Sequence, residues 1–419
     1  MITELLVAIM LLGSGTMAID ISSKIQSITV VSDVDDMEAG GNVVIAGTDL
    51  VEDGTLVLDK QVYISLGYSG APILNLRGVI SDIQTKDTPQ RDKETQITVM
   101  SPFKNYRKQI LQTTYFEDDT PIKDVLELLA GDYMGLPPEA YDFSMMTSTL
   151  NSFRIENLSI PEAMKLLAEI NSLELAWWKG KLITIGFLEP TIEYDISRCT
   201  IADSGGNTDL KIISAVNVFG REMRKDDGER KDIGSLVIPK EDLGEHIFLW
   251  YFYVELTDLP AENIFLTPSD VSHFDFNYEG IKNNYAIISA HRNNAGIQPV
   301  DVLITVSGLV WKEGKLNRKV VRVVPIPGYE TDMEVNYENP FIQDWATMES
   351  VGNYFLLRNK YSQYPYTIVA PHNPDLKPNT TLKIKEGETE LFTIIVRTIE
   401  TKWQVTDSSL EDVIKGWEF

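Results

Sequence analysis

Four histidines are the first residues to test for chemistry: His246, His273, His291 and His372. None is paired with another at i, i+4, and none is followed by a carboxylate at zinc-ligand spacing. The single cysteine, Cys199 in "YDISRCTIAD", excludes an intrachain disulfide framework and a cysteine-rich zinc site. With no histidine near it in sequence, Cys199 reads as a structural thiol and not as a nucleophile. The stretch "SDVDDMEAGG" offers Asp33, Asp35, Asp36 and Glu38 as calcium ligands, but it lacks the twelve-residue loop pattern. A solvated acidic turn is the commoner meaning of such a run. There is no glycine-rich phosphate loop and no G-x-S-x-G elbow.

Paired carboxylates for glycoside hydrolysis need two acids at a set separation. With 62 Asp and Glu in the chain, no pair stands out. Trp177, Trp178, Trp250 and Trp311 would suit a sugar platform, yet three of the four lie in expected strands, where core packing is the commoner fate. The sequence therefore assigns no catalytic, cofactor-binding or metal-ligating residue, and no cofactor. His372 sits in a proline-dense stretch, "PHNPDLKPNTTLKI", with no partner near it in sequence.

At 419 residues the chain is long enough for about three domains. An apolar content of 43% and a charged content of 24% are those of a folded globular protein. Against 62 acids stand 37 Lys and Arg, a formal charge of −25. Gripping phosphates requires clustered cations, so this balance argues against a nucleic-acid-binding protein. Solubility is the plain reading of the charge, and a surface that must not hold DNA is the sharper one. Near the N-terminus, Leu5 to Leu12 is an uninterrupted apolar run followed by Gly-Ser-Gly. It carries Glu4 in place of a basic n-region and is too short to span a bilayer. It is expected to dock on this chain or on a partner, with Met17 as an alternative start.

Residues 20–105 read as short strands rich in Val, Ile and Thr; in "KQVYISLGY", Val62, Ile64 and Leu66 alternate with polar neighbours. Residues 106–190 read as a small α+β unit. Its first helix is expected to start at Thr120 and Pro121 and to stop near Gly131. Its second starts at Ser159 with Glu162 in a capping box and buries Ala163, Leu166, Leu167 and Ile170. A hairpin turning at Lys179-Gly180 follows. Strands resume after Pro190, with a charged loop around Asp227-Gly228 and an aromatic strand from Ile247 to Leu256. The longest helix is expected over Phe341 to Tyr361, capped by Asn339 and stopped by Pro365. After it come "YTIVA", the proline turn, "TTLKIK" and "ELFTIIVRTIETKWQVT", with a last helical turn in "DSSLEDVIKGWEF".

Taken in order, several of these stretches resemble the hub proteins of phage-tail baseplates, the trimeric adapters between tail tube and central spike. The resemblance rests on "QVYISLGYSG" with "LRGVISDIQT", on "DVLELLA", on "AMKLLAEINSLELAWWKGKLITI", on "SAVNVFG" (Ser214 to Gly220) and on "NPDLKPNTTLKI". It covers most of residues 20–406. Relatives usually carry Pro-Gly where this chain has Pro378-Asn379, a mild change because Asn tolerates a left-handed backbone. Residues 257–335 are longer than the resemblance leads one to expect, and the N-terminal apolar stretch has no counterpart.

The resemblance implies an α+β, mainly β fold, with two small antiparallel β-barrel domains of tube type, an α+β insert between them and a further β/helical insertion. The implied division is an apolar segment at 1–19, a first barrel at 20–105 and the insert at 106–190. The second barrel begins at 191–256, is interrupted by a β-rich insertion at 257–338, and is completed by a long helix and return strands at 339–406, before a tail at 407–419. The implied role is structural and not enzymatic: a homotrimeric ring in the virion tail baseplate, assembled in the host cytoplasm. Its implied partners are the tail tube and central spike proteins, with tape-measure and baseplate wedge proteins as further contacts. DNA would pass through without specific binding, and no membrane anchor is implied. The competing readings are a tail-tip protein that binds host carbohydrate and, behind it, an acidic glycan-degrading enzyme.

Overall fold

The computed structural model describes the chain except residues 1–4, 13–17, 36, 69–72, 88–92, 108, 112, 205–212, 226–229, 241–248, 259, 271–273, 283, 293–299, 322–332, 363–364, 405–409 and 419. The fold is α+β and mainly β, built of several curled sheets.

The first sheet region holds β1 (Leu5–Leu12), β2 (Ala18–Asp20), β3 (Ile25–Asp33) and β4 (Glu38–Ala46), then the short α1 (Asp49–Glu52), β5 (Gln61–Tyr68), β6 (Ile73–Asp87) and β7 (Lys93–Met100). Its core follows the alternation expected of half-buried strands: Ile28 and Val30, Val43 and Ile45, Val62, Ile64 and Leu66, Ile97 and Val99 are all buried. The apolar N-terminal run docks on this chain. As β1 it pairs antiparallel with β5, from Leu5 opposite Tyr68 to Leu12 opposite Gln61.

After α2 (Phe103–Tyr106) come the paired short strands β8 (Thr114–Phe116) and β12 (Phe153–Ile155), and β9 (Thr120–Pro121) and β11 (Thr149–Leu150), with β10 (Tyr141–Asp142) beside the later hairpin. Helix α3 (Ile122–Leu128) starts one residue later than its sequence signals suggest, with Pro121 in the capping position, because Thr120 is held in β9 opposite Leu150. Its end is displaced as well. The chain runs on through a wide π-turn, Leu129–Tyr133, and stops at Gly135, whose φ of +66° suits glycine. Helix α4 (Ile160–Glu169) has the expected capping box: the Ser159 hydroxyl accepts from the Glu162 N–H, and the Glu162 carboxylate accepts from the Ser159 N–H. Strands β13 (Leu173–Trp178) and β14 (Lys181–Gly186) form the expected hairpin, with Lys179 and Gly180 both at positive φ.

Strands β15 (Glu189–Asp195) and β16 (Thr200–Ser204) lead to β17 (Ile213–Lys225), β18 (Lys231–Ile238), β19 (Leu249–Glu255), β20 (Pro260–Pro268), β21 (Phe274–Lys282), β22 (Tyr285–Arg292), β23 (Val302–Val321) and β24 (Met333–Glu338). The strand expected to open the second barrel, Ser214 to Gly220, lies instead within β17, in a sheet with β23 and β24. The reason is the length of β23. Its first half lies between β18 and β20, and its second half pairs with β17 from Val321 opposite Ala215 to Trp311 opposite Lys225. A separate three-stranded sheet runs β19-β22-β21. Asp227 and Gly228 fall outside the described residues.

Helix α5 (Trp345–Tyr361) is capped by Asp344, whose carboxylate accepts from the Ala346 and Thr347 N–H groups at 2.9 Å. The expected cap, Asn339, is buried and closes a turn by accepting from the Phe341 N–H, so Phe341 and Ile342 plug the core as loop residues. Strands β25 (Pro365–Pro371), β26 (Thr380–Glu386), β27 (Thr389–Gln404) and β28 (Leu410–Glu418) complete the chain. The C-terminal stretch is a strand and not a helical turn. Leu410, Asp412, Ile414 and Gly416 are buried alternately, the period of a strand.

Strand β27 joins the two parts of the largest sheet. The order β16-β25-β28-β27-β3-β4-β7-β6-β5-β1-β2, with β26 and β15 branching from β27, makes one 13-stranded sheet. One edge of β27 bonds β28. Its other edge bonds β26 over its first half and β3 over its second.

Helix α5 lies on β17 and β23 through Gly352, where a Cβ would come within 2.5 Å of a Val320 methyl and 3.2 Å of a Val218 methyl. An exposed helical Gly→Ala change normally gains about 1 kcal/mol. Gly352→Ala is expected to lose stability instead, by about 1–3 kcal/mol from overpacking, as a lowered denaturant midpoint; an unchanged or raised midpoint would contradict this docking.

Candidate functional site

At the point where β27 changes partner, its pairing with β28 skips one residue: Val396 faces Gly416 and Thr398 faces Lys415, leaving Arg397 as the bulge. The extra residue flips the inward parity of the strand. Ile394 and Val396 point into one core before it, and Ile399 points there after it. The backbone on either side is satisfied by the two neighbours, since the Asn379 N–H donates to the Val396 carbonyl at 2.7 Å and the Val34 N–H to the Arg397 carbonyl at 3.3 Å.

The Arg397 side chain, 2% exposed, fills the gap so created. Its guanidinium donates to both Glu174 oxygens, at 2.7 and 3.0 Å, to Asp35 at 2.6 Å, and to the Asn379 amide oxygen. The Trp417 ring lies 4.3 Å from it, within range for a cation–π contact. Glu174 comes from β13 and also accepts from the Tyr354 hydroxyl at 2.6 Å and the Asn379 amide at 2.6 Å. Arg358 of α5 donates to Asp35 at 2.6 Å. Two cations and two anions thus meet, drawn from the first sheet, the insert hairpin, the long helix and β27. Asn379, at the end of the proline turn, has φ +63°, the left-handed conformation expected of it. Its side chain spends every polar atom here, donating also to the Gly186 carbonyl at 2.9 Å.

Burial opposes ionisation of Glu174, but Arg397 beside it, followed by Arg358 and the Tyr354 hydroxyl, prevails and lowers the carboxyl to about 2. Burial likewise works against the Arg397 charge, and Glu174 with Asp35 more than offsets it, so the guanidinium is held more firmly protonated than usual. Nearby, burial raises the Glu169 carboxyl above its ordinary value while Tyr337 donates a hydrogen bond to it. Neither Arg397 nor Glu174 is flagged by motif spacing. The signal available is a lone charge inside an apolar run, in "LFTIIVRTIE" and "SLELAWW", since charges are rarely buried unless paired.

Of the histidines, His246 and His273 lie outside the described residues, and His291 is exposed on β22. His372 has the partner its sequence surroundings lack. Its Nδ1 is 2.9 Å from the fully buried Asp412 carboxylate, which also accepts from the Thr401 hydroxyl at 2.7 Å and the Asn373 N–H at 3.0 Å. The Nε2 side has no hydrogen-bond partner. The adjoining cavity, about 40 Å³ between Trp177, Trp178, His372 and Thr401, has room for water and for no larger group. The pair fastens the proline turn to β28.

Asp33 accepts from Thr398, and Asp35 is committed to the two arginines; Asp36 and the Glu38 side chain lie outside the described residues. Among the described residues, no group of three or more His, Cys, Asp or Glu is placed to hold a metal ion. Burial pushes the Cys199 thiol up, away from the reactive thiolate form. Trp177 packs edge-on against Phe103, Trp178 donates to the Leu376 carbonyl, Trp250 packs edge-on against Phe274, and Trp311 is buried. None of the four forms an open platform.

The folded pKa of Glu174 is below its unfolded value of about 4.3, so its contribution is full above that pH and is lost as pH falls through about 2. A depression of ~2 units corresponds to ~3 kcal/mol. Glu174→Gln is expected to destabilise the protein at neutral pH by about 3–5 kcal/mol, because Arg397 is left buried without its partner, and to flatten the decline in melting temperature between about pH 4 and 2. Parallel melting curves for variant and wild type across that range would overturn the assignment.

No protein-family model matches this sequence, and no curated protein matches it. Among solved structures, the tail protein from Neisseria meningitidis MC58 is 9% identical, with a TM-score of 0.57 over 99% of this chain and 97% of that one. The 43 kDa tail protein of prophage MuSo2 from Shewanella oneidensis is also 9% identical, with a TM-score of 0.53 over 98% of each chain. Over almost its whole length, this chain has the fold of these tail proteins.

Proposed function

We propose that the chain is a structural tail protein whose trimer forms a ring between a six-fold tail tube and a three-fold spike. The observation that carries this reading is the place of β27 in the large sheet, where one of its edges bonds β26 over its first half and β3 over its second, so that early and late strands of the chain meet on it. Each chain would present two barrel-like units side by side, the divisions being near residues 20–105 and 191–406 with the insert at 106–190 and the β-rich insertion at 257–338 set between strands. Three chains then offer six similar units to the tube on one side and three equivalent corners to the spike on the other. Closing the ring covers sheet edges that would otherwise invite uncontrolled pairing.

The net charge of −25 fits this role. A bore lined with carboxylates repels the phosphate backbone, so DNA slides without being held. Tail tube, spike, tape-measure and wedge proteins are the partners this ring would meet in a virion tail. No helix among the described residues is long and apolar enough to cross a membrane.

Mass photometry of the purified chain, alone and mixed with tube and spike proteins, tests the proposal. The expected result is a particle of three chains that binds both. A chain that stays monomeric and joins neither protein would sink the ring. Imaging of the assembled ring checks the charge argument: acids on the outside around a neutral or basic bore would defeat it.

A further inference from the structure

The three-stranded sheet β19-β22-β21 has one face in a core, where Trp250, Phe252, Phe274 and Ile288 pack, and one face outward. On the outward face of β19, Tyr251 and Tyr253 are 57% and 55% exposed, with Leu249 at 48% in line with them. Two large aromatic side chains two positions apart stand roughly 7 Å from one another along the strand. The register then fixes what lies beside them. Tyr251 is opposite Ser289, which is opposite Asn277, and Tyr253 is opposite Ile287. The Ser289 hydroxyl donates to Glu279, which places that carboxylate on the same face, and Asp275 lies one row further along opposite His291.

From this face we infer a binding platform for a neutral glycan. The rings of Tyr251 and Tyr253 offer flat apolar surfaces for the C–H faces of pyranose rings. The adjacent strands, spaced about 4.8 Å apart, hold the groups that read sugar hydroxyls: carboxylates that accept from them and an Asn amide that both accepts and donates.

Charge selects among other occupants. The face carries Glu255, Asp275 and Glu279, and its one lysine, Lys282, lies at the far end opposite Tyr285. A phosphorylated or sulfated polymer finds no cationic grip and meets the repulsion of a chain with net charge −25. The same face of a second copy would set these acids against their own equivalents, a like-charge juxtaposition that disfavours pairing. A polyhydroxylated neutral chain meets neither obstacle. This inference does not rest on the ring proposal.

The test is binding of the full chain to a printed array of neutral oligosaccharides of glucose, galactose, rhamnose and N-acetylglucosamine, with sulfated and phosphorylated glycans alongside. Selective binding to neutral glycans is expected. For a glycan so identified, titration calorimetry is expected to show about tenfold weaker binding for Tyr251→Ala or Tyr253→Ala, ~1.4 kcal/mol each, and near-normal binding for Tyr251→Phe, which keeps the ring. Thermal melting of each variant confirms that it is folded. Since both positions are exposed, wild-type melting is expected. The inference is overturned if no neutral glycan binds, if only anionic glycans bind, or if the Tyr251→Ala, Tyr253→Ala double variant binds as wild type. A change in particle mass on the double substitution would identify the face as a subunit contact and overturn it equally.

Discussion

A strand with one free edge can serve one neighbour along its length, yet β27 serves two on the same side. This is possible only if the ladder is broken between them and the break is filled. The bulge at Arg397 makes the break, and the guanidinium fills it. A hydrocarbon there would leave the Glu174 carboxylate, itself buried, without its partner; a cation without Glu174 would be equally unsupported. Buried ion pairs add little net stability compared with an apolar filling, but losing one member costs several kcal/mol. Their effect is therefore on specificity: only the alignment that brings Arg397, Glu174, Asp35 and Asn379 together is free of a large penalty. The two halves of the large sheet, the insert hairpin and α5 are set relative to one another by that requirement.

The parts of this arrangement that sequence reading reaches are local. The Ser159–Glu162 box, the Lys179-Gly180 turn and the left-handed Asn379 each involve residues within a few positions, where backbone geometry restricts residue type. The parts it misses depend on distant segments. Thr120 does not cap α3 because Leu150 claims it as a strand residue. Asn339 looks like a helix cap, but Leu166 and Tyr337 recruit its amide, and the helix waits for Asp344. "DSSLEDVIKGWEF" has charges that suit a helix, whereas its buried positions follow the two-residue period of β28. The junction itself is the extreme case, since Arg397 and Glu174 are 223 positions apart. The overall order of strands, helices and proline turn was legible; the assignment of Ser214 to Gly220 to a sheet was not, because β23 is long enough to take it.

Charge is partitioned with the same economy. The ions at the junction are two of each sign, and the described buried acids otherwise comprise Glu169 and Asp412, each hydrogen-bonded. The acid excess is consequently a property of the surface, where it keeps copies apart at a distance and is screened beyond about 10 Å at 0.1 M salt. Against that background, an outward sheet face dominated by tyrosines and hydrogen-bonding groups differs from its surroundings in kind. It combines apolar rings with acceptors and carries one lysine, Lys282, against three acids.

The seam between β3 and β27 also has a history within each molecule. Thr398 bonds to Asp33 across 365 positions of chain. At ribosomal rates of about 5–20 residues per second, β3 emerges ~20–70 s before the strand that will cover it. For that time the first sheet has an uncovered edge carrying unpaired N–H and C=O groups, the state in which nascent β proteins are most open to wrong partners. A chain that stops short of β27 lacks the strand on which β3, β26 and β28 all pair, so the seam forms only after β27 is made.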